Sequence, residues 1–359
     1  MRGADPAVVE RALGDGDPLP GTGGFAGALA DGRLARDVLG RRPLFSERGD
    51  ATTWGFDPDE LADPVPVPAG HVRTPDGDRE VWRLPDLDPE RDDRAAVDRL
   101  RSAVRESVDA VDESGLAVAF SGGVDSAALA ARLDTPCYVV GFPDSHDVAA
   151  AREAARVLDV DLRVVELSLS DVETAVPAVA NAIRTTDAMN VQIALGLFLA
   201  ARAAAADGFD RLALGQGADE LFGGYAKVAS APDDSRVEAD TVRGARREVV
   251  ATLPEQLQRD TLAVRATGVD PVTPLLHDRV VAAALALPGR LLVTDRGERK
   301  WAFRRAVRAW VPDRVAFREK KAVQYGSLVA RELDRLARQA GFKRRIDDHV
   351  GQYVAARVE

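Results

Sequence analysis

The run Ser121-Gly122-Gly123-Val124-Asp125-Ser126 is the stretch of this sequence best suited to chemistry. Adjacent glycines let a backbone take positive φ and approach an anion closely. Loop amides that lead into a helix start form a seat for phosphate, and the hydroxyls of Ser121 and Ser126 can add donors. Asp125 changes the reading. A carboxylate in a phosphate seat repels the ligand unless a cation lies between them, so Asp125 implies Mg²⁺. The loop lacks the Gly-Lys-Ser/Thr ending of a Walker A loop. Without that lysine it suits a departing pyrophosphate better than transfer of a terminal phosphoryl group. A second glycine-rich run, Gly215 to Tyr225, contains Asp219 and Glu220. Lys320 and Lys321 stand near Gly326 in a chain whose other lysines are Lys227, Lys300 and Lys343, which makes the pair conspicuous.

The elements that must position these residues alternate. Ala95–Val111 has helical spacing, with Val97, Leu100, Val104 and Val108 on one face. Leu116–Phe120 is a short apolar run that reads as a buried strand, and the first glycine loop joins it to a helix expected over Ala127–Leu133. A strand over Cys137–Phe142, a helix over Val148–Leu158 and a strand over Leu162–Leu167 follow. Two helical segments then lead to a strand over Arg211–Leu214. This is the pattern of a parallel sheet covered on both faces, whose ligands sit at the carboxyl ends of the strands. From about Val237 the chain reads as mostly helical. Before Pro85 it is rich in Gly, Pro and Asp, with short strands expected at Gly24–Leu29, Leu34–Val38, Thr53–Phe56 and Val81–Leu84. Pro85–Arg94 reads as a linker. We therefore expect a small β-rich domain over residues 1–90 and a larger α/β domain over 91–359.

Bulk composition narrows the function classes. The net charge of −10 argues against a broad nucleic-acid footprint. The apolar stretch Val191–Ala206 is interrupted by Gln192 and Arg202 and reads as a buried helix rather than a membrane span. A single cysteine, Cys137, allows no internal disulfide, and the polar start of the chain does not read as a signal peptide. A cytoplasmic location is expected. His71, His146, His277 and His349 have no ligand spacing, so no zinc site is expected.

The first loop resembles the SGGxDS loop of the ATP pyrophosphatases. Gly215-Gln216-Gly217-Ala218-Asp219-Glu220-Leu221-Phe222-Gly223-Gly224-Tyr225 resembles the G-x-G-x-D-E-x-F-G-G-Y segment of the asparagine synthetase group, which includes β-lactam-forming relatives. Lys300-Trp301-Ala302-Phe303-Arg304 resembles its K-x-x-L-R segment, and Arg318 to Gly326 its R-x-K-x-x-x-x-x-G segment. Pro271–Leu276 loosely resembles R-V-P-F-L-D. The resemblance implies an adenine nucleotide alpha hydrolase-like (PP-loop) domain with a helical C-terminal part. It implies that ATP is held by Ser121, Gly122, Gly123, Asp125, Ser126, Gly215 and Gly217, with Asp125 and Asp219 sharing Mg²⁺. It makes Lys320 the residue that meets charge on the transferring groups. The implied reaction adenylates a carboxylate, with aspartate the first candidate, and converts it to an amide with ammonia.

Two departures bear on substrate. The family's bacterial enzymes have glutamate where this chain has Gln216, which cannot take a proton. They also have arginine in a T-T-x-R segment, where this chain reads Met189-Asn190-Val191-Gln192. Two alternatives therefore stay open: a different carboxylate, in an amide-former or cyclase, or a non-catalytic nucleotide-binding subunit.

Phe25–Leu29, Ala35–Phe45 and Pro68–His71 resemble segments of the family's class II (Ntn) glutaminase domain. The nucleophile of that domain is a cysteine directly after the initiator methionine, and here Arg2 follows Met1. The first 90 residues are thus expected to be a shortened, degenerate glutaminase-like domain. Nitrogen would come from free ammonia or a separate glutaminase, and Cys137 is expected to be core.

Overall fold

A computed structural model describes residues 1–143, 145–230, 241–318, 325–343 and 348–358, with side chains omitted at 325–328. The chain forms two compact units. One comprises Met1–Val111, Gln216–Gln258 and Thr273–Ala309; the other comprises Asp112–Gly215, Arg259–Val272 and Trp310–Glu359.

In the first unit, helix α1 (Pro6–Asp15) is capped by the Asp5 carboxylate, starts on Pro6 and stops at left-handed Gly16. These are ordinary start and stop signals, yet the sequence reading passed over the helix. Two antiparallel sheets follow. Strands β1 (Ala26–Ala28), β2 (Leu34–Arg36), β6 (His71–Thr74) and β7 (Gly77–Glu80) form one, in that order. Strands β3 (Phe45–Glu47), β4 (Asp50–Gly55) and β5 (Pro64–Pro66) form the other, with β3 central. The strand expected at Val81–Leu84 is absent from the ladder. Its apolar residues serve as a plug: Val81 and Trp82 donate their amides to the Gly70 carbonyl, and Trp82 meets Phe25 edge-on at 5.3 Å. The neighbouring β7 is exposed along its length, so it carries no apolar alternation to read. Helix α2 (Asp93–Asp109) begins at its Asp92 cap and buries Val97, Leu100, Val104 and Val108, the face expected from spacing.

The second unit is built on a five-stranded parallel sheet in the order β10-β9-β8-β11-β12. Its strands are β8 (Leu116–Ala119), β9 (Cys137–Gly141), β10 (Leu162–Glu166), β11 (Arg211–Ala213) and β12 (Asp270–Val272). The first four match the expected strands. The short β12 was missed, and its Pro271 is tolerated because the strand lies at the sheet edge. Helices α3 (Val124–Ala130), α4 (His146–Leu158), α5 (Leu169–Ile183) and α6 (Ala188–Ala206) belong to this unit, as do Tyr325–Gln339 and His349–Val358. The α/β arrangement agrees with the alternation read from sequence. Among the described residues, α6 alone is long and apolar enough to cross a membrane. Its Val191, Ala194, Leu195, Leu199 and Ala201 are buried where it packs on the sheet and on α5. Helix α3 starts three residues before the expected Ala127, because Gly123 is its extended N-cap. Asp125 and Ser126 therefore lie in the first helical turn.

Candidate functional site

Strand order places the chemistry. Beginning at β8, the chain adds β9 and then β10 on one side, and returns to the other side of β8 with β11. The boundary between β8 and β11 is a topological switch point, and ligands bind there at the carboxyl ends of the strands. The loop Ser121–Ser126 leaves the end of β8, and Gly215 follows the end of β11. The two strand ends are close enough that a side chain on Gly215 would lie 3.0 Å from Asp125 Cβ and 3.1 Å from the Ser126 amide nitrogen.

The first loop is held mostly by its own atoms. The Ser121 amide donates to Ser126 Oγ at 3.2 Å, and Ser126 Oγ donates to the Gly123 carbonyl at 3.2 Å. The hydroxyls of Ser121 and Ser126 are 3.3 Å apart. Ser126 is buried, so its hydroxyl shapes the loop, whereas Ser121 and Gly123 face outward. Gly122 has φ +71°, and a Cβ there would fall 2.7 Å from the Ala150 carbonyl oxygen of α4. Both features require glycine. No side chain caps α3, which leaves its first-turn amides suited to an anionic ligand. Asp125 stands half-buried at the same turn. One carboxylate beside an amide-lined loop is a donor set that fits Mg²⁺ carried on phosphate, since this ion takes one or two carboxylates together with phosphate oxygens.

The second glycine motif belongs to the other unit from Gln216 onward. Gly217 takes φ +85° and caps the short helix α7 (Ala218–Leu221), and a side chain on it would collide with Leu276. Asp219 lies in α7, and its Oδ1 is 2.7 Å from Lys300 Nζ. Lys300 is 3% exposed and adopts φ +58°, a left-handed conformation that costs a non-glycine residue on the order of 1–3 kcal/mol. The Gly224 amide donates to the Asp219 carbonyl at 2.7 Å, and a side chain on Gly224 would strike both Asp219 and Lys300. Arg299 Nη1 donates to the Gly224 carbonyl at 2.7 Å, and Phe222 stacks on Phe303 at 4.6 Å. Glu220 is buried and accepts the Tyr225 hydroxyl at 2.6 Å; burial raises its pKa. The G-x-G-x-D-E and K-x-x-L-R segments are therefore one packed cluster. Sequence reasoning assigned Lys300 no role, although its place in the K-x-x-L-R segment was the available signal.

Other expected residues fall elsewhere. Lys320 and Lys321 lie outside the described residues. Gln216 is half-buried at the start of the second motif. Met189, Asn190 and Gln192 occupy the first turns of α6, where Met189 is 64% exposed and Asn190 Oδ1 accepts Arg259 Nη1 at 3.0 Å. Cys137 is fully buried in β9, and burial together with Asp161 pushes its thiol up to about 12. It is a core residue and not a nucleophile.

Comparison with known proteins gives a consistent result. The family model described as asparagine synthase matches residues 98–249 and 229–356. A Methanocaldococcus jannaschii protein named as a glutamine-hydrolyzing asparagine synthetase is 30% identical over 285 residues, covering 69% of this chain and 52% of that protein. Escherichia coli asparagine synthetase B is 26% identical, covering 85% of this chain and 61% of its own length. Arabidopsis thaliana asparagine synthetase 2 is 26% identical, covering 85% and 58%. Both are also named glutamine-hydrolyzing. The chain thus spans between about half and three-fifths of the length of these relatives.

Proposed function

We propose that this chain, which belongs to the asparagine synthase family, activates a carboxylate with ATP and converts it to an amide. The observation that carries this reading is the switch point. The Ser121–Ser126 loop leaves one of its two strands, and the second motif leaves the other, with Gly215 against Asp125.

The substrate carboxylate attacks the α-phosphorus of ATP. The bond between the α-phosphorus and the bridging oxygen breaks, and pyrophosphate leaves into the amides around Gly122 and Gly123. An acyl-adenylate remains. Ammonia then attacks the acyl carbon, AMP departs with the electron pair of the broken C–O bond, and the ammonium proton passes to solvent. Adenylation is needed because a carboxylate is a poor electrophile and would have to expel an oxide. Asp125 and Asp219 would hold Mg²⁺ against the phosphates, where it would supply charge neutralisation. Ser121 donates to phosphate, while Ser126, Gly215 and Gly217 keep the backbone in shape around it. Lys320, by family resemblance, meets the charge that builds in both transition states. Gln216 can orient the acceptor by hydrogen bonding but cannot act as a base.

Aspartate is the proposed carboxylate, and the nitrogen is proposed to arrive as ammonia, free or from a separate glutaminase. Residues 1–90 are proposed to be a glutaminase-like domain, and the buried Cys137 is not placed to serve as its nucleophile. One observation favours a less polar acid instead. Met189 is exposed at the first turn of α6, and α6 runs back along the sheet toward the start of β11, so that turn points to the carboxyl ends of the strands. Incubation with ATP, Mg²⁺, ammonia and aspartate, followed by mass detection, should yield asparagine, AMP and pyrophosphate. AMP formation with an apolar acid but not with aspartate would reassign the substrate. Formation of ADP, or no AMP with any acid, would refute the proposal.

A further inference from the structure

The segment Arg36–Arg42 belongs to the glutaminase-like part of the sequence, yet its side chains are committed to a different task. Arg41 is buried with 1% of its side chain exposed, and its Nη1 donates to the Leu276 carbonyl and to Asp278 Oδ1, both at 2.7 Å. Its Nε donates to Asp37 Oδ1 at 2.8 Å, and Asp37 also accepts the amides of Leu39 and Arg41. Asp278 is fixed from the other side by the Thr22 amide at 2.7 Å and the Thr22 hydroxyl at 3.2 Å. The turn Pro274–Leu276 is thus gripped at one end by Arg41. At its other end Ser107 Oγ donates to the Pro274 carbonyl at 2.6 Å. The Leu276 side chain is what Gly217 packs against, and Gly217 starts the helix that carries Asp219.

We infer that Arg41 is a positioning residue for the Asp219 loop, acting through Leu276 and Gly217. The buried arginine sets where Leu276 sits, Leu276 sets where the left-handed Gly217 turn sits, and that turn aims Asp219. The N-terminal segment therefore has a part in holding magnesium-bound phosphate. This rests on the assignment of Asp219 to those phosphates made above. Arg73 provides the internal contrast. It too is buried, with bonds to Ser46, Asp78 and the Val65 and Pro66 carbonyls, but these partners lie within the two antiparallel sheets.

The test compares Arg41→Lys with Arg73→Lys. Lysine keeps the charge at either site but loses the planar fork. Binding of α,β-methylene-ATP is measured by calorimetry with and without Mg²⁺, beside the Mg²⁺ concentration that gives half-maximal AMP formation. Arg41→Lys should raise the dissociation constant with Mg²⁺ about ten-fold, the low end of what loss of an outer partner costs a metal site. It should leave binding without Mg²⁺ near the wild-type value, and the half-maximal Mg²⁺ concentration should rise in parallel. Arg73→Lys should change neither. Leu276→Ala, which leaves every charge in place, should reproduce the Mg²⁺-dependent shift and serves if Arg41→Lys does not fold. An Arg41→Lys or Leu276→Ala protein with wild-type Mg²⁺ dependence overturns the inference, and so does an Arg73→Lys shift as large as that of Arg41→Lys. A wild-type chain that neither binds nucleotide nor forms AMP removes the functional reading itself, and this inference with it.

Discussion

The two glycine motifs are held in place by different means. Ser121–Ser126 closes on itself through two serine hydroxyls and leans on α4 at Gly122. Gly215–Tyr225 also has internal bonds, from the Gly224 amide to the Asp219 carbonyl and from the Tyr225 hydroxyl to Glu220, but it leans on distant segments as well. Its acid is met by Lys300, its first turn by Leu276, its Phe222 by Phe303 and its Gly224 carbonyl by Arg299. A loop of the first kind depends on a few local torsions and one close approach. A loop of the second kind depends on contacts with segments far along the chain, and it can be damaged from any of them.

Lys300→Met should break the second loop and do the most harm. It removes the buried cation beside Asp219, whose own side chain is 21% exposed, so the cost should be about 3 kcal/mol, the low end for a buried pair that loses one member. Urea denaturation would measure the loss; a cost of under about 1 kcal/mol, no more than exposed pairs are worth, would mean that the second loop is as self-sufficient as the first. Gly122→Ala should leave the fold in place but lower the rate of AMP formation about 100-fold, the scale expected for a displacement of about an ångström at a reacting group. Gly123→Ala sharpens that expectation: Gly123 has φ −78° and its nearest obstacle, Ser121 Oγ, is 3.3 Å away, so its loss should be much smaller. Equal losses at the two positions would mean that close backbone approach to the ligand, rather than φ and the contact with α4, governs the loop.

Ser126→Ala should cost about 1 kcal/mol, the usual net worth of a hydrogen-bonded hydroxyl, with a modest fall in activity. The smallest effect concerns Glu220. Burial holds its folded-state pKa above the ordinary carboxylate value of 4.5, so the folded protein binds a proton that the unfolded chain has released. Stability from this group is full below the unfolded pKa and is lost as pH rises through the folded one. Glu220→Gln should therefore raise the melting temperature at neutral pH and flatten its decline above the carboxylate range. A variant with the wild-type slope would show that Glu220 is not the titrating group.

The sequence was most legible where contacts are local or apolar runs are continuous. Leu116–Ala119 and Cys137–Gly141 are buried on both faces of a parallel sheet and carry unbroken apolar residues for that reason. Strands β5 and β7 were invisible because proline or charge covers them. Val81–Leu84 misled because apolar residues that plug a core look like a strand when read alone.

The types and spacing in Ser121–Ser126 were enough to specify a tight glycine turn from strand into helix, since its geometry comes from two glycines and two hydroxyls within six positions. They could not specify that Lys300 would be the partner of Asp219, or that Arg41 would grip Leu276. Those pairings join residues far apart in sequence, and their strength comes from burial in a low-dielectric interior that no short segment can create by itself. The tertiary structure decided them by bringing the partners together where water is largely excluded.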